Sequence, residues 1–245
     1  MDRAPGEARV LSCGDTMLVV EFGSSIERAL SEHVLALAAG LEKAALAGVV
    51  EIVPTFRSLA VHYDPLVTAA DILAPQIAAI LHSAQSSPRR SRTITLPVCY
   101  GGEFGPDLDA VAARTRLSPP EVISRHGASA YHAYMLGFLP GFAYLGDIDP
   151  AIRLPRHETP RLAVPGGSVA IAASLTAVYP YESPGGWHVI GRTPVCLFTP
   201  LQPMPALITP GDRVRFVPVS PDEYGRLAQL CAEGGYRPIA TETVP

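Results

Sequence analysis

Proline and glycine are distributed unevenly along this chain of 245 residues. Twenty of the 25 prolines and 16 of the 21 glycines lie after residue 92. Turn formers therefore recur about every four residues in the longer, C-terminal part, which excludes long helices there. The skew predicts two domains of different class, an N-terminal domain over residues 1–82 and a second domain over residues 93–245.

The first domain shows patterns typical of both strands and helices. Residues 8–23 hold two apolar runs separated by Cys-Gly-Asp, which predicts a β-hairpin, and two more β-rich runs lie at 49–54 and 58–63. Two apolar sets at helical spacing predict a helix after each strand pair: Ile26, Leu30, Val34, Leu37 and Leu41, then Ile72, Leu73, Ile77, Ile80 and Leu81. This order predicts a small α+β sandwich, in which two helices cover one face of an antiparallel sheet.

Residues 83–92 connect the two parts. They are polar, rich in serine and basic, so we expect an exposed linker. Arg89, Arg90 and Arg92 in this stretch fit a solvated linker better than an anion site.

The second domain contains short runs of strand character, separated by proline and glycine about every 8–12 residues. These runs are TITLPVCY, SVAIAA, TAVYP, WHVIGR, PVCLF and RVRFVP. They predict an antiparallel β-barrel or sandwich. Capping signatures at Ser118 and Ser220 predict the starts of short helices, of which the last would pack on the barrel or close its end.

Charge and composition exclude several classes of function. A net charge of −4 argues against nucleic acid as a partner, and a single lysine, Lys43, argues against Schiff-base chemistry and a phosphate-loop lysine. The four cysteines form no CxxC pair, and no histidine spacing suggests a metal site. No signal peptide is seen, and the uncharged window 162–181 is broken by proline and glycine, which argues against a membrane span. We expect a soluble cytoplasmic protein.

Three segments combine glycine, proline, aromatic residues and arginine: 137–156, 159–180 and 183–194. Glycine and proline fix loop shapes that hold backbone N–H groups near a ligand, and aromatic rings provide flat walls. Arginine supplies a planar fork for a carboxylate or phosphate. The segments fit a binding pocket, and they fit equally a barrel with tight corners whose arginines are paired on the surface.

The same segments resemble the KipI and allophanate-hydrolase-subunit-1 family, which includes the B-type subunit of bacterial 5-oxoprolinase and part of urea carboxylase. The matching runs are GFLPGFAYLG (137–146), VPGGSVAIA (164–172) and SPGGWHVIGRTP (183–194), and the resemblance spans about residues 8 to 218. It implies an α+β domain followed by a cyclophilin-like β-barrel. One departure concerns the substrate, because ASLTA (173–177) stands where the family usually has Gly-x-Gln-Thr-Gly.

The resemblance implies a subunit of an ATP-dependent 5-oxoprolinase, an amidohydrolase that opens the lactam of 5-oxoproline to glutamate. The chain would be inactive alone, and ATP would bind here or on a partner. The implied partners are a longer homologous subunit, similar to KipA and allophanate hydrolase subunit 2, and a LamB/YcsF-type subunit. Two alternatives stay open: an inhibitor of a sensor histidine kinase, and a part of an allophanate hydrolase or urea carboxylase system.

The candidate site residues lie in the three segments. Those proposed to bind the substrate or an anion are Arg156, Arg161, Arg192, Thr176 and His188. Those proposed as pocket walls and close-approach loops are Gly141, Phe142, Tyr144, Tyr179, Gly185, Gly186 and Trp187. Core packing of Trp187 and a structural salt bridge for any single arginine explain these residues as well. The sequence assigns no catalytic residue.

Overall fold

The computed structural model describes residues 8–83 and 91–243, which belong to two separate compact units. The first unit consists of β1 (Arg9–Ser12), β2 (Met17–Glu21), α1 (Arg28–Ala44), β3 (Val49–Pro54), β4 (Ser58–Tyr63) and α2 (Ala70–Ser83). Its strands form an antiparallel sheet of order β1-β2-β4-β3. The predicted α+β sandwich, with its hairpin and both strand runs, is confirmed.

The core of the first unit lies between its sheet and its helices. Val34, Leu37 and Leu41 of α1 are buried against alternate residues of β2 and β4, as the period of the helix requires. Two members of the predicted apolar sets differ. Ile26 precedes the start of α1, Ile72 lies on the solvent side of α2, and both are about half exposed.

The second unit contains ten strands, three α-helices and a short 3-10 helix (Pro150–Ile152) among its described residues. Its strands are β5 (Ser91–Tyr100), β6 (Ala130–Leu136), β7 (Ala143–Gly146), β8 (Arg161–Val164), β9 (Ser168–Ala172), β10 (Leu175–Val178), β11 (Ser183–Gly185), β12 (His188–Arg192), β13 (Arg213–Pro218) and β14 (Ala240–Thr243). Its helices are α3 (Leu108–Thr115), α4 (Pro119–Gly127) and α5 (Pro221–Ala232).

Seven of these strands close a barrel in the order β12-β9-β10-β7-β6-β13-β5, because β5 also pairs with β12. The strand β14 pairs with the other part of that edge of β5, and β8 pairs with β11 in a separate ribbon. The prediction of an antiparallel barrel is wrong in one respect, because β5 and β13 are parallel and the barrel is mixed. Apolar runs reveal where strands lie but not the direction in which distant strands pair.

Three local predictions differ from the structure. The run PVCLF is a loop with a single bridge, Phe198 to Ala206. The linker prediction covered Ser83, which ends α2, and Arg92, which lies in β5 and contacts Asp212 with Nη2 2.6 Å from Oδ2. Arg89 and Arg90 lie outside the described residues. No helix within 8–83 or 91–243 has the length and apolarity needed to span a membrane.

The predicted helix starts are confirmed. The Glu121 carboxylate accepts a hydrogen bond from the Ser118 backbone N–H at 2.7 Å, and Ser220 Oγ accepts one from the Glu223 N–H at 3.2 Å. These bonds satisfy donors that the first turn of a helix leaves free. In α5, Leu227 is buried, and the helix contacts β5 of the barrel.

A buried hydrogen-bond network crosses the barrel interior at His126. Thr176 donates its hydroxyl hydrogen to the Ala170 carbonyl at 3.0 Å, so its oxygen accepts from His126 Nε2–H at 2.9 Å. His126 Nδ1 then accepts from the Tyr100 hydroxyl at 2.7 Å. All ring donors and acceptors are satisfied with a neutral imidazole, and burial lowers the pKa of His126 to about 3.

Because the folded pKa of His126 lies below the unfolded value of about 6.5, its neutral form stabilises the fold fully above pH 6.5. Below that pH, His126 binds a proton in the unfolded chain but not in the folded chain. We expect the free energy of unfolding to fall by about 2 kcal/mol between pH 7 and pH 5, measured by urea titration of Trp187 fluorescence. His126→Gln should remove this part of the pH dependence, and an unchanged slope would contradict the assignment.

Candidate functional site

The predicted aromatic residues come together on one face of the barrel sheet. Alternate residues of β9 divide between two apolar clusters: Val169 and Ile171 face the barrel core, and Ala170 and Ala172 face a second cluster. We call this second group the aromatic cluster; it contains Phe142, Tyr179 and Trp187, with Tyr144 packed against it.

Phe142 packs against each of the other aromatic rings of this cluster. Its ring centroid lies 5.0 Å from that of Tyr144, 5.4 Å from that of Tyr179 and 6.0 Å from that of Trp187, in T-shaped geometry. Phe142, Tyr179 and Trp187 are each under 5% exposed. These three rings therefore form a packed floor, and their role as pocket walls stays a prediction.

Two of the predicted loop glycines lie where neighbouring residues leave no room for a side chain. A Cβ at Gly141, where φ is +81°, would lie 2.7 Å from Cβ of Phe198, and a Cβ at Gly185 would come under 3.0 Å from the Tyr179 hydroxyl. Both positions therefore exclude a side chain because the protein itself fills the space. Gly186 differs, because the nearest atom to a Cβ there is 3.7 Å away.

Arg156 lies over this floor. Its Cζ is 5.7 Å from the centroid of the Trp187 ring, within range of a cation–π interaction. Arg156 is exposed, and the ion pairs of the described residues do not include it. Of the three predicted anion-binding arginines, Arg156 is the one whose guanidinium is presented to solvent on an aromatic face.

Arg161 is held by Asp107, a residue that the sequence did not single out. Its Nη2 lies 2.5 Å from Oδ1 and its Nη1 lies 2.8 Å from Oδ2, which is the bidentate arrangement of guanidinium and carboxylate. This pairing occupies the guanidinium of Arg161, and its role as an anion clamp stays a prediction. Asp107 directly precedes α3, where an aspartate signals helix capping, so local sequence gives no sign of this pairing.

Asp107 also ties the start of α3 to β12. Its Oδ2 accepts from the Val189 N–H at 2.7 Å, and its own N–H donates to the Val189 carbonyl at 2.9 Å. Burial alone would raise the pKa of the Asp107 carboxyl, but hydrogen bonds from Arg161 and Val189 outweigh it and the pKa is lowered. Asp107 is therefore an ionised carboxylate at neutral pH.

Two histidine rings pack against each other beside this carboxylate, with an interplanar angle of 52°. The rings of His157 and His188 have centroids 4.0 Å apart, and His157 Nε2 lies 3.5 Å from Asp107 Oδ2 and 3.3 Å from Arg161 Nη1. His188 is buried, and burial lowers its pKa, although a hydrogen bond to the Pro155 carbonyl opposes the shift. His188 is therefore not exposed in this structure, and its role in substrate binding stays a prediction.

The other two predicted residues lie elsewhere. Thr176 is fully buried in the barrel interior and is occupied by its bonds to His126 and Ala170, and its role in anion binding stays a prediction. Arg192 is half-buried in β12, opposite Ser168 of β9. The Nε of Arg192 and the Oγ of Ser168 are both buried without a hydrogen-bond partner among the described residues.

The two units, an α+β sandwich and a mixed barrel, define the class of protein to which this chain belongs. The sequence profile described as "Carboxyltransferase domain, subdomain C and D" matches residues 8–208, and the chain belongs to this family. Within it, the B-type subunit of 5-oxoprolinase from Bacillus subtilis (strain 168) is 40% identical over 225 residues, which are 86% of this chain and 92% of that protein. The resemblance of the sequence motifs to a family that includes this 5-oxoprolinase subunit is confirmed.

Solved structures give the same fold. The crystal structure of TTHA0988 is 36% identical with a TM-score of 0.74, and the match covers 83% of this chain and 39% of that one. The chain therefore spans about two-fifths of that protein. The K. lactis urea amidolyase matches all of this chain with 17% of its own, at a TM-score of 0.82 and 20% identity, which shows the fold alone.

Proposed function

We propose that this chain is the B-type subunit of an ATP-dependent 5-oxoprolinase and acts with partner subunits on 5-oxo-L-proline. The observation that carries the proposal is the 40% identity to the corresponding 5-oxoprolinase subunit of Bacillus subtilis over nearly the whole length of both proteins. The products would be L-glutamate, ADP and phosphate, because hydrolysis of the lactam is coupled to hydrolysis of ATP.

The chemistry of the lactam explains why anion-binding groups are needed. A lactam is an unreactive amide, and transfer of the ATP γ-phosphoryl group to its carbonyl oxygen would make the ring carbon open to attack by water. The substrate carboxylate is a second anionic group. Arg156 supports this proposal, since an exposed guanidinium on an aromatic face suits a small anion with a flat ring.

Partner subunits and the location of ATP belong to the same proposal. Homologous segments occur inside longer chains, since this chain matches only 39% of TTHA0988 and 17% of the K. lactis urea amidolyase. We infer that a longer homologous subunit and a LamB/YcsF-type subunit complete the enzyme in the cytoplasm, with ATP bound in the assembled complex.

The substrate is tested on the assembled complex. We expect ATP hydrolysis by the complex of this chain with the products of its neighbouring genes to depend on 5-oxo-L-proline and not on urea. Stimulation by urea with bicarbonate, and not by 5-oxo-L-proline, would assign the chain to a urea carboxylase system.

Arg156→Gln should raise the KM for 5-oxo-L-proline in this complex by roughly 10-fold to 100-fold, the effect of losing one charge-assisted hydrogen bond. Arg226→Gln is a matched control because Arg226 is exposed on α5 and pairs only with Glu223 three residues away. If the two variants have equal KM values, Arg156 does not bind the substrate and its role is structural.

A further inference from the structure

We propose that Asp107, His157 and His188 form a binding site for a divalent first-row transition ion of the zinc type, which displaces Arg161 from the carboxylate. The inference does not depend on the proposed function. One carboxylate oxygen of Asp107 and one ring nitrogen of each histidine lie within 4.8 Å of one another. Two imidazoles and one carboxylate are the protein ligands of many catalytic zinc sites.

The distances are compatible with such an ion. For metal bonds of about 2.0–2.2 Å in tetrahedral geometry, ligand atoms lie about 3.3–3.6 Å apart. His157 Nε2 and Asp107 Oδ2 are already 3.5 Å apart. The third ligand is His188, whose ring packs against that of His157 with centroids 4.0 Å apart and an interplanar angle of 52°.

The hydrogen bonding of His188 supplies an independent indication. Its Nε2 lies 2.8 Å from the Pro155 carbonyl oxygen, which only accepts, so Nε2 carries the hydrogen and Nδ1 carries a lone pair. His188 is 1% exposed, and its Nδ1 has no hydrogen-bond partner among the described residues. A buried lone pair without a donor is costly. Donation of the other ring N–H to a backbone carbonyl is the usual support of a metal-binding histidine.

Arg161 is the cation that such an ion would have to displace. Its guanidinium spans both oxygens of Asp107 and supplies the positive charge that the buried carboxylate requires. An ion bound at Oδ2 would replace Nη1 there and repel the rest of the guanidinium. Since the side chain of Arg161 is 36% exposed, it has room to turn towards solvent. The three protein ligands leave a fourth position open for water or an anion.

The test uses the untagged, full-length chain after treatment with a chelator. We expect equilibrium dialysis to show one Zn²⁺ per chain, and Co²⁺ to give the visible absorption of a tetrahedral site. His157→Gln, at a partly exposed ligand, and Asp107→Asn should each weaken Zn²⁺ binding at least tenfold. Arg161→Gln should strengthen it, because the competing cation is gone. His62→Gln, in the first unit, is the matched control and should bind as the unaltered chain does.

Two results would overturn the proposal. One is a chain that takes up no Zn²⁺ and gives no Co²⁺ spectrum. The other is a chain whose Zn²⁺ affinity is the same in the His157→Gln, Arg161→Gln and His62→Gln variants. Because the Co²⁺ spectrum is read on the unaltered protein, a variant that fails to fold does not remove the test.

Discussion

Gly105→Ala should destabilise the barrel unit by about 3 kcal/mol or more. A Cβ at Gly105 would come under 3.0 Å from the Ile190 carbonyl oxygen and the Gly101 nitrogen. Both are backbone atoms, and the Gly101 N–H donates a hydrogen bond to the Ile190 carbonyl of β12 at 3.1 Å, so neither moves without breaking this pairing. Trp187, the only tryptophan of the chain, lies in this unit and reports its unfolding in urea.

Gly225→Ala is the control for this substitution. Gly225 lies within α5, and a Cβ there would meet nothing within 4 Å. Alanine is favoured over glycine in the interior of a helix by about 0.5–1 kcal/mol, so the midpoint of urea unfolding should rise. If Gly105→Ala lowers the free energy of unfolding by less than about 1 kcal/mol, the segment before α3 does not pack closely against β12.

Asp107→Asn should lower the free energy of unfolding by about 2–3 kcal/mol. The amide has nearly the same shape and keeps an acceptor for the Val189 N–H. However, it is uncharged, so it cannot neutralise Arg161, and it has only one oxygen to accept hydrogen bonds from the two Nη groups of Arg161. The cost is moderated because Arg161 is partly exposed and regains some hydration. Urea unfolding followed by Trp187 fluorescence measures the difference.

Arg161→Lys separates charge from geometry in the same pair. Lysine keeps the positive charge and loses the planar fork, so we expect a loss between zero and that of Asp107→Asn. If Asp107→Asn is as stable as the unaltered chain, the ion pair does not hold the start of α3 on the barrel.

The first unit could be predicted almost completely because each element has one apolar face. In α1 and in β4, the side-chain period alone identifies the residues that face the core. The barrel could be predicted less completely from the sequence. Its closure depends on β5, which pairs with β12, β13 and β14 from distant parts of the chain, and no local pattern encodes partner or direction.

The site was predictable in composition but not in detail. Phe142, Tyr179 and Trp187 pack together, because the runs that carry them contribute neighbouring strands of the barrel. The three arginines of those runs look alike in the sequence, and only the fold distinguishes them. Arg161 is paired with a carboxylate 54 residues away, whereas Arg156 lies on Trp187. Asp107 was missed because its local signal is that of a helix cap.

The most direct measurement of the central claim is glutamate formation by the reconstituted complex with this chain withheld and then added back. Purified partner subunits with ATP and 5-oxo-L-proline should form little glutamate. Addition of this chain should restore formation at a rate that saturates at a fixed ratio to its partners. Equal rates with and without the chain, or no glutamate in either case, would contradict its assignment as a 5-oxoprolinase subunit.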